Sequence, residues 1–152
     1  MAMVAALEDK VIDSSHVVDT GNGRLTFYGD VVEDSNKRGY GKISASEAFE
    51  LSSNVGIVKI IDDFYGKNPS KFVDRLYNMG LNKELDLPIT GEGKPIIPHP
   101  NDKSWSGISL QWMAYGYGVS LTPLQTLTFY NAIANDGEMV RPRFVKAVRE
   151  NW

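Results

Sequence analysis

Three consecutive polar residues, Ser52-Ser53-Asn54, stand where two helix-forming runs meet, and we call them the Ser/Asn corner. Ser and Asn side chains compete with the helical backbone for hydrogen bonds, so the triplet predicts a break or a cap. A break would point two hydroxyls and a carboxamide out of a rigid, helix-supported position, which is how catalytic and binding sites are commonly built. The structural alternative is a plain N-cap for the helix that follows.

The corner connects two predicted helices. Ser44 and Glu47 form a capping box, which predicts a helix from Ala45 to about Leu51. After the corner, apolar residues occur around much of the next helix, which indicates deep burial, and Gly66 is expected to end it. The apolar residues are Val55, Ile57, Val58, Ile60, Ile61 and Phe64.

Extended structure is predicted upstream of these helices. Val17-Val18 and Leu25–Tyr28 flank Asn22-Gly23, and Asn-Gly is the strongest short signal for a β-hairpin. We therefore expect a hairpin over Val17–Phe27. A helix-favouring run, Met3–Lys10, precedes it without an N-cap residue.

Helices and loops alternate through the rest of the chain. Asn68 as N-cap and Pro69 at the first helical position predict a helix that Gly80 closes. Thr122 and Gln125 form a second capping box. The Gly- and Pro-rich stretch between these helices is expected to be an ordered surface loop. Shorter elements are a strand at Val31-Val32, an aromatic turn at Met113–Gly118, and extended segments at Met139-Val140 and Phe144-Val145.

Composition excludes several classes of function. The 152 residues suit one domain, and a net charge of −3 without a basic cluster argues against a nucleic-acid partner. No apolar run reaches the roughly 18 residues that a membrane-spanning helix needs. The chain has no cysteine, and its two histidines, His16 and His99, lie far apart in the sequence. We therefore expect neither a metal site nor another cofactor.

Other catalytic patterns are weaker than the corner. No Gly-x-Ser-x-Gly elbow accompanies the two histidines, so a Ser-His-Asp triad is not indicated. Tyr115 and Tyr117 could line a groove, although aromatic residues at this density also build cores.

Four segments in order resemble one family. Residues 44–56, which contain the corner, closely resemble the second active-site motif of class B penicillin-binding proteins, the D,D-transpeptidases that cross-link peptidoglycan. Met3–Asp9 is similar to the helix just after the nucleophile motif of the family. Leu85–Gly93 is similar, with a local shift, to its L-P-x-E-x-x-G loop. Gly116–Gln125 followed by Asn131–Gly137 resembles its G-x-G-x-x-x-T-P-L-Q … A-x-A-N-x-G segment.

The resemblance implies roles for individual residues. Ser52 would relay protons, and Asn54 would donate a hydrogen bond to the substrate or to the catalytic lysine. Ser53, Tyr115 and Tyr117 are the candidates for substrate contact, Ser53 being also the residue expected to act as a cap. The implied ligands are peptidoglycan stem peptides ending in D-Ala-D-Ala, and β-lactams. Both acylate the nucleophilic serine of the family's Ser-x-x-Lys motif.

Two motifs of that family are missing from the sequence. No serine has a lysine three residues on, and Lys-Thr-Gly does not occur; Lys103-Ser104-Trp105 comes nearest and lacks the glycine. Residues 1–152 are therefore expected to be a single partial domain from the middle of a transpeptidase domain, inactive alone.

The expected fold is mainly α (α+β). It would be the helical lobe of the serine β-lactamase/transpeptidase-like fold with a small β-hairpin, its central five-stranded sheet largely missing. Such a lobe would expose an apolar face and self-associate or bind a partner. The fragment would be soluble, whereas the longer protein would sit in the bacterial inner membrane with its catalytic domain outside the cytoplasm. There it would meet cell-division or elongation proteins, and the septal type is favoured.

Two other functions remain open. In a non-catalytic helical interaction module, the Ser/Asn corner would be only a cap with its polar groups fully satisfied. A β-lactam sensor or β-lactamase relative would share the Ser-x-Asn motif, although Thr122-Pro123-Leu124-Gln125 points more to transpeptidases.

Overall fold

The fold is mainly helical, with two small antiparallel sheets, in the computed structural model, which describes residues 1–149. This confirms the predicted helical lobe with little sheet. The elements in chain order are α1 Ala2–Glu8, β1 Val17–Asp19, β2 Arg24–Phe27, β3 Asp30–Glu33, β4 Lys42–Ser44, α2 Ala45–Glu50, α3 Asn54–Tyr65, α4 Pro69–Asn78, α5 Ser109–Ala114 and α6 Pro123–Ala134. None of the helices in the described range is long and apolar enough to cross a membrane.

Helix α3 is the centre of the core. α1, α2, α4 and α5 all pack against it, and strands β1 and β3 contact it as well. Its completely buried side chains are Val55, Val58, Ile60, Ile61 and Tyr65. Burial around most of its circumference is what the continuous apolar pattern predicts. The helix that carries the Ser/Asn corner at its start therefore lies at the centre of the core formed by residues 1–149.

A buried carboxylate joins the end of α1 to α3 and α4. The Tyr65 hydroxyl donates to Asp9 Oδ2 at 2.8 Å, and Arg75 Nε donates to Asp9 Oδ1 at 2.7 Å. Burial alone would raise the pKa of Asp9, but these two hydrogen bonds and the Arg75 charge outweigh it and lower that pKa below its usual value. Burial and the neighbouring carboxylate raise the pKa of Tyr65.

We expect Asp9 to make the fold acid-sensitive. A carboxyl whose pKa is depressed on folding stabilises the native state fully above its unfolded pKa, about 3.9, and loses that contribution as the pH falls through the folded pKa. Asp9→Asn should therefore lower the free energy of unfolding by about 2 kcal/mol at pH 7 and by much less near pH 2. Urea unfolding at both pH values measures the difference; an equal loss at both would contradict the assignment.

The predicted hairpin over Val17–Phe27 is wrong. β1 pairs with β4, with Val18 opposite Ile43, and β2 pairs with β3, with Leu25 opposite Val32. The strand at Val31-Val32 is confirmed as part of β3, whereas β4 was not predicted because it contains one apolar residue, Ile43, and leads directly into α2.

Contacts distant in sequence explain this pairing. The buried Thr20 donates from Oγ1 to the Gly41 carbonyl at 3.0 Å and accepts from the Tyr40 amide at 2.7 Å, which draws the segment after β1 towards β4. The β2–β3 hairpin closes instead at Tyr28-Gly29, both with positive φ, as a type I′ turn requires. Tyr in the first of these positions is rare, so local sequence did not reveal the turn.

The helix boundaries follow the local signals more closely. Both capping boxes are confirmed, Ser44 with Glu47 and Thr122 with Gln125. Asn68 precedes Pro69 as predicted but makes no side-chain hydrogen bond to the helix. The short helix α5 was not predicted, and its six residues fall below the length at which periodicity is informative.

The long connection between α4 and α5 is an ordered surface loop, as predicted. Glu92 links two parts of this loop, because its carboxylate accepts hydrogen bonds from the amides of Leu85 at 2.5 Å and Leu87 at 2.9 Å. An isolated bridge pairs Ile96 with Ser120. Met139-Val140 and Phe144-Val145, which were predicted to be extended, form no strand, and their apolar side chains are exposed.

Candidate active site

Helix α2 ends immediately before the Ser/Asn corner in a Schellman motif. The Ser53 amide donates to the Ala48 carbonyl at 2.9 Å, and the Ser52 amide donates to the Phe49 carbonyl at 3.1 Å. These two bonds satisfy carbonyls that the end of a helix would otherwise leave free. The motif reverses the chain sharply, so that only three residues separate the end of α2 from the start of α3.

Ser52 occupies the left-handed position of that motif. Its φ is +51°, where glycine is the usual residue, because a side chain there crowds the backbone at a cost of about 1 kcal/mol or more. Its side chain is exposed and has no hydrogen-bond partner within residues 1–149. A strained, exposed and unpaired hydroxyl is therefore available to a ligand.

Ser53 is the N-cap of α3. Its Oγ accepts from the Gly56 amide at 2.9 Å and donates to Asp34 Oδ1 at 3.0 Å. The residue is completely buried, so its hydroxyl cannot reach a ligand. The structural role that the sequence offered as the alternative for Ser53 is the one this geometry supports, and we assign it no contact with substrate.

Asp34 completes the cap from a distant part of the chain. Its Oδ1 accepts the Val55 amide at 3.0 Å, so that Asp34 and Ser53 together satisfy two of the free amides at the start of α3. The carboxylate also lies at the positive end of the α3 dipole. It is 1% exposed.

Asn54 is the first residue of α3 and is partly exposed. Its Nδ2 donates to the Glu33 carbonyl at 3.0 Å. A carbonyl can only accept, so this bond orients the amide with Nδ2 towards Glu33. Asn54 Oδ1 and the second N–H hydrogen then remain for other partners.

Close packing leaves no freedom between α2 and α3 at the corner. A Cβ atom on the buried Gly56 would stand 3.0 Å from Ala48 Cβ and 3.0 Å from Ser53 Oγ. Both distances are tighter than ordinary van der Waals contact, so glycine allows the two helices to meet here. Ser52 and Asn54 are thus carried by two helices in direct contact.

Tyr115 and Tyr117 form a pair, with ring centroids 5.2 Å apart. Tyr117 is 65% exposed, whereas Tyr115 is half-buried. Burial raises the pKa of Tyr115, and the nearby Tyr117 and Asp30 contribute. No hydrogen bond joins either tyrosine to the Ser/Asn corner within residues 1–149.

Sequence reasoning missed the two residues that hold the corner, Glu33 and Asp34. Glu33 contributes a main-chain carbonyl, which residue types cannot reveal. Asp34 begins a polar stretch that ends at Gly41, and its partners are 19 and 21 residues away. Two acidic residues, Glu33-Asp34, directly after the apolar pair Val31-Val32 were the only available signal.

The Ser/Asn corner has groups that can hydrogen-bond a ligand and transfer a proton, but it has no activated nucleophile of its own. No pair of Ser52 with a lysine, histidine or carboxylate is formed within the described residues, so its hydroxyl has no base to activate it. No cluster of three or more potential metal ligands occurs in that part of the chain either. What the corner offers is one free hydroxyl and one oriented carboxamide.

Comparison with known proteins gives one consistent family. The family model of the penicillin binding protein transpeptidase domain matches residues 1–152. The chain is 31% identical over 143 residues to the penicillin-binding protein PbpB of Mycolicibacterium smegmatis, and 28% identical over 148 residues to the peptidoglycan D,D-transpeptidase FtsI of Escherichia coli K12. It covers 21% and 24% of the lengths of these relatives, against 94% and 97% of its own.

The chain also superposes on solved structures over nearly its whole length. A peptidoglycan glycosyltransferase from Burkholderia ambifaria superposes with a TM-score of 0.83 at 27% identity, over 99% of this chain and 46% of the other. Penicillin-binding protein 3 of Mycobacterium tuberculosis, in complex with aztreonam, superposes with a TM-score of 0.79 at 29% identity, over 95% and 31%. The chain thus spans less than half of each of these structures.

Proposed function

Because the chain belongs to the penicillin binding protein transpeptidase domain family, we propose that it supplies the Ser-x-Asn part of a D,D-transpeptidase active site. Residues 1–152 would form the central part of one larger transpeptidase domain. The large share of known family structures that the chain leaves uncovered supports this. Alone, it would be inactive.

Ser52 and Asn54 are the residues proposed to act in the reaction. In acyl transfer, a serine oxygen attacks the penultimate D-Ala carbonyl, the terminal D-Ala amine leaves with a proton, and an acyl-enzyme forms. Ser52 Oγ, free and exposed, would pass that proton to the leaving amine. Asn54, oriented by Glu33, would use its free N–H to hold the substrate amide or its Oδ1 to accept from a lysine ammonium.

The observation that carries this proposal is the contrast within the corner. Ser53 is fully buried and saturated with hydrogen bonds, whereas Ser52 on one side is strained and unpaired and Asn54 on the other is partly free. The Schellman motif requires a left-handed residue at position 52 and would be served at lower cost by glycine, so capping alone does not account for a serine there. The contrast therefore favours a site over a non-catalytic interaction module.

Substrate and setting follow from the proposed function. The substrates would be peptidoglycan stem peptides ending in D-Ala-D-Ala, and β-lactams would acylate the same nucleophilic serine, that of the Ser-x-x-Lys motif. Tyr117, which is 65% exposed and paired with Tyr115, is proposed to contact the stem peptide, because an exposed aromatic pair offers a surface on which a peptide can pack. The longer protein would be anchored in the inner membrane of a bacterium, with this domain in the periplasm or on the outer side, and would work with cell-division or elongation proteins, of which we favour the septal cell-division type.

Labelling with a fluorescent penicillin tests the proposal. We expect the protein from the complete gene to become covalently labelled and residues 1–152 alone to stay unlabelled, because the chain carries no Ser-x-x-Lys nucleophile. Prior treatment with unlabelled penicillin should abolish the signal and serves as the control. Labelling of residues 1–152 alone would refute their inactivity, and a complete gene without Ser-x-x-Lys just upstream would refute the catalytic assignment.

An apolar groove is the proposed contact surface of the isolated chain. It encloses about 410 Å³ between α1, α2 and α6, and its walls include Leu7, Phe49, Tyr130 and Ile133, each between 45% and 57% exposed. We propose that a second copy of the chain covers this groove in solution, because exposed apolar patches of this kind drive association.

Self-association through the groove is measurable. Sedimentation velocity of residues 1–152 at rising concentration should show dimers that Ile133→Lys shifts to monomers, since a charge in the groove must be desolvated on association. Leu127→Lys, also on α6 and 63% exposed but outside the groove, is the control and should change nothing. Monomers throughout, or equal effects of the two variants, would contradict the proposal.

A further inference from the structure

We propose that Asp34 is the positioning residue of the Ser/Asn corner and sets the rate of the acylation step without touching the substrate. This inference rests on the proposed function and adds a residue that lies outside the Ser-x-Asn motif. Asp34 follows β3 directly, far from the corner in sequence but in direct contact with it in space.

Three consecutive residues at the start of α3 are bound to two consecutive residues at the end of β3. Asn54 Nδ2 binds the Glu33 carbonyl, and the residues on either side of Asn54 both bind Asp34, Ser53 through Oγ and Val55 through its amide, each at 3.0 Å. One carboxylate thus fixes the backbone before and after Asn54. Because Ser52 directly precedes Ser53, the same carboxylate also limits where the Ser52 hydroxyl can point.

A charged residue at this place is costly unless its charge serves the geometry. Asp34 is 1% exposed, and no ion pair to it is present among residues 1–149. Burying an unpaired carboxylate is unfavourable, so its hydrogen bonds and the α3 dipole must compensate. A smaller neutral acceptor would avoid that cost if capping were the only requirement.

The carboxylate also determines the direction of the hydrogen bonds. An ionised Asp34 can only accept, so Ser53 must donate its proton to it and keep its lone pairs for the Gly56 amide at 2.9 Å. Asparagine at position 34 with its oxygen towards the Val55 amide would place its NH2 group against Ser53 Oγ, which would then accept from both this group and the Gly56 amide. Turned round, the NH2 group would face the Val55 amide, donor against donor. Either orientation changes the hydrogen bonds that fix the start of α3.

The test compares two buried carboxylates in the full-length protein. We expect Asp34→Asn to lower the rate constant for acylation at saturating β-lactam about tenfold to a hundredfold, because misplacing a catalytic group by about 1 Å has effects of that size. The apparent dissociation constant of the β-lactam should change less than threefold. Stopped-flow measurements with a fluorescent penicillin separate the two constants.

Asp9→Asn is the matched control. Asp9 is likewise buried, with a side chain 5% exposed and two hydrogen-bond donors, but it joins α1 to α3 and α4 away from the corner. It should lower stability like Asp34→Asn and leave the acylation rate constant within twofold, at a temperature where circular dichroism shows both variants folded. Equal rate constants in the two variants would overturn the positioning role.

Ser53→Gly provides a second route if Asp34→Asn does not fold. Glycine is tolerated as an N-cap, and it removes the hydroxyl that Asp34 holds. It should slow acylation at least fivefold without loss of the native spectrum, and a wild-type rate constant would overturn the proposal. If the proposed function itself were wrong, Ser52→Ala and Asn54→Ala would leave the acylation rate constant unchanged. A failure of the positioning role alone would instead leave these two variants slow, with Asp34→Asn and Ser53→Gly at the wild-type rate.

Discussion

Replacement of Asn54 by Ala in the full-length protein is expected to slow β-lactam acylation by about 10² to 10³-fold, the usual effect of losing an oriented polar group at a developing charge. The loss arises because the Glu33 carbonyl already orients the amide, so the transition state gains its hydrogen bond without reorganisation. Ser52→Ala should cost about 10²-fold, the typical contribution of a proton-transfer group. The second-order rate constant of labelling by a fluorescent penicillin measures both.

Two exposed residues provide the controls. Asn78→Ala at the end of α4 and Ser46→Ala on α2 remove the same groups away from the corner and should leave labelling within twofold. Ser52→Ala should also remain fully folded, because its hydroxyl has no partner within the described residues. Labelling of Asn54→Ala or Ser52→Ala at the rate of these controls would remove both residues from the mechanism.

Gly23→Ala is expected to have the largest effect on stability, a loss of about 3 kcal/mol or more. A Cβ atom at Gly23 would stand 2.3 Å from the Gly39 backbone nitrogen, and its φ of +74° strains any side chain. The Gly23 carbonyl also accepts the Asp34 amide at 2.9 Å, so displacement here reaches the residue that holds the corner. Urea unfolding followed by circular dichroism gives the loss.

Gly21→Ala separates the two causes. Gly21 has a φ of +53°, but a Cβ atom added there would meet no other atom within 4 Å. The substitution therefore carries the conformational cost alone, about 1 kcal/mol. The difference between the two variants is the cost of the contact between the Gly23 and Gly39 backbones. Equal losses would mean that this contact does not hold the β1–β2 connection in place.

Elements encoded by neighbouring residues could be predicted from the sequence. Ser44 with Glu47 and Thr122 with Gln125 bond within one helical turn, so a four-residue pattern is enough to locate both helix starts. The apolar circumference of α3 likewise shows its burial without any knowledge of its neighbours.

Elements that depend on contacts between residues distant in sequence could not be predicted from the sequence. Asn22-Gly23 is a strong local hairpin signal, yet the contacts of Thr20 with Tyr40 and Gly41 direct β1 to a strand more than twenty residues away. Pairing between distant strands depends on the whole fold, which a local pattern cannot express.

The site divides in the same way. Residue types and spacing identified Ser52 and Asn54 as candidates. The preference of serine for N-cap positions also suggested a cap, which is the position that Ser53 occupies. The sequence could not show that Ser52 is left-handed and unpaired, or that Glu33 and Asp34 hold the corner. These properties belong to the packing of β3 against α3.

A crystal structure of the full-length protein acylated by a β-lactam tests the central claim most directly. We expect the Ser52 hydroxyl and the Asn54 carboxamide to lie within about 3.2 Å of the acyl group or the lysine beside it, the reach of a catalytic hydrogen bond. Ser53 should stay buried on Asp34. An acyl group bound elsewhere, with Ser52 and Asn54 facing only solvent, would contradict the assignment of this corner to the active site.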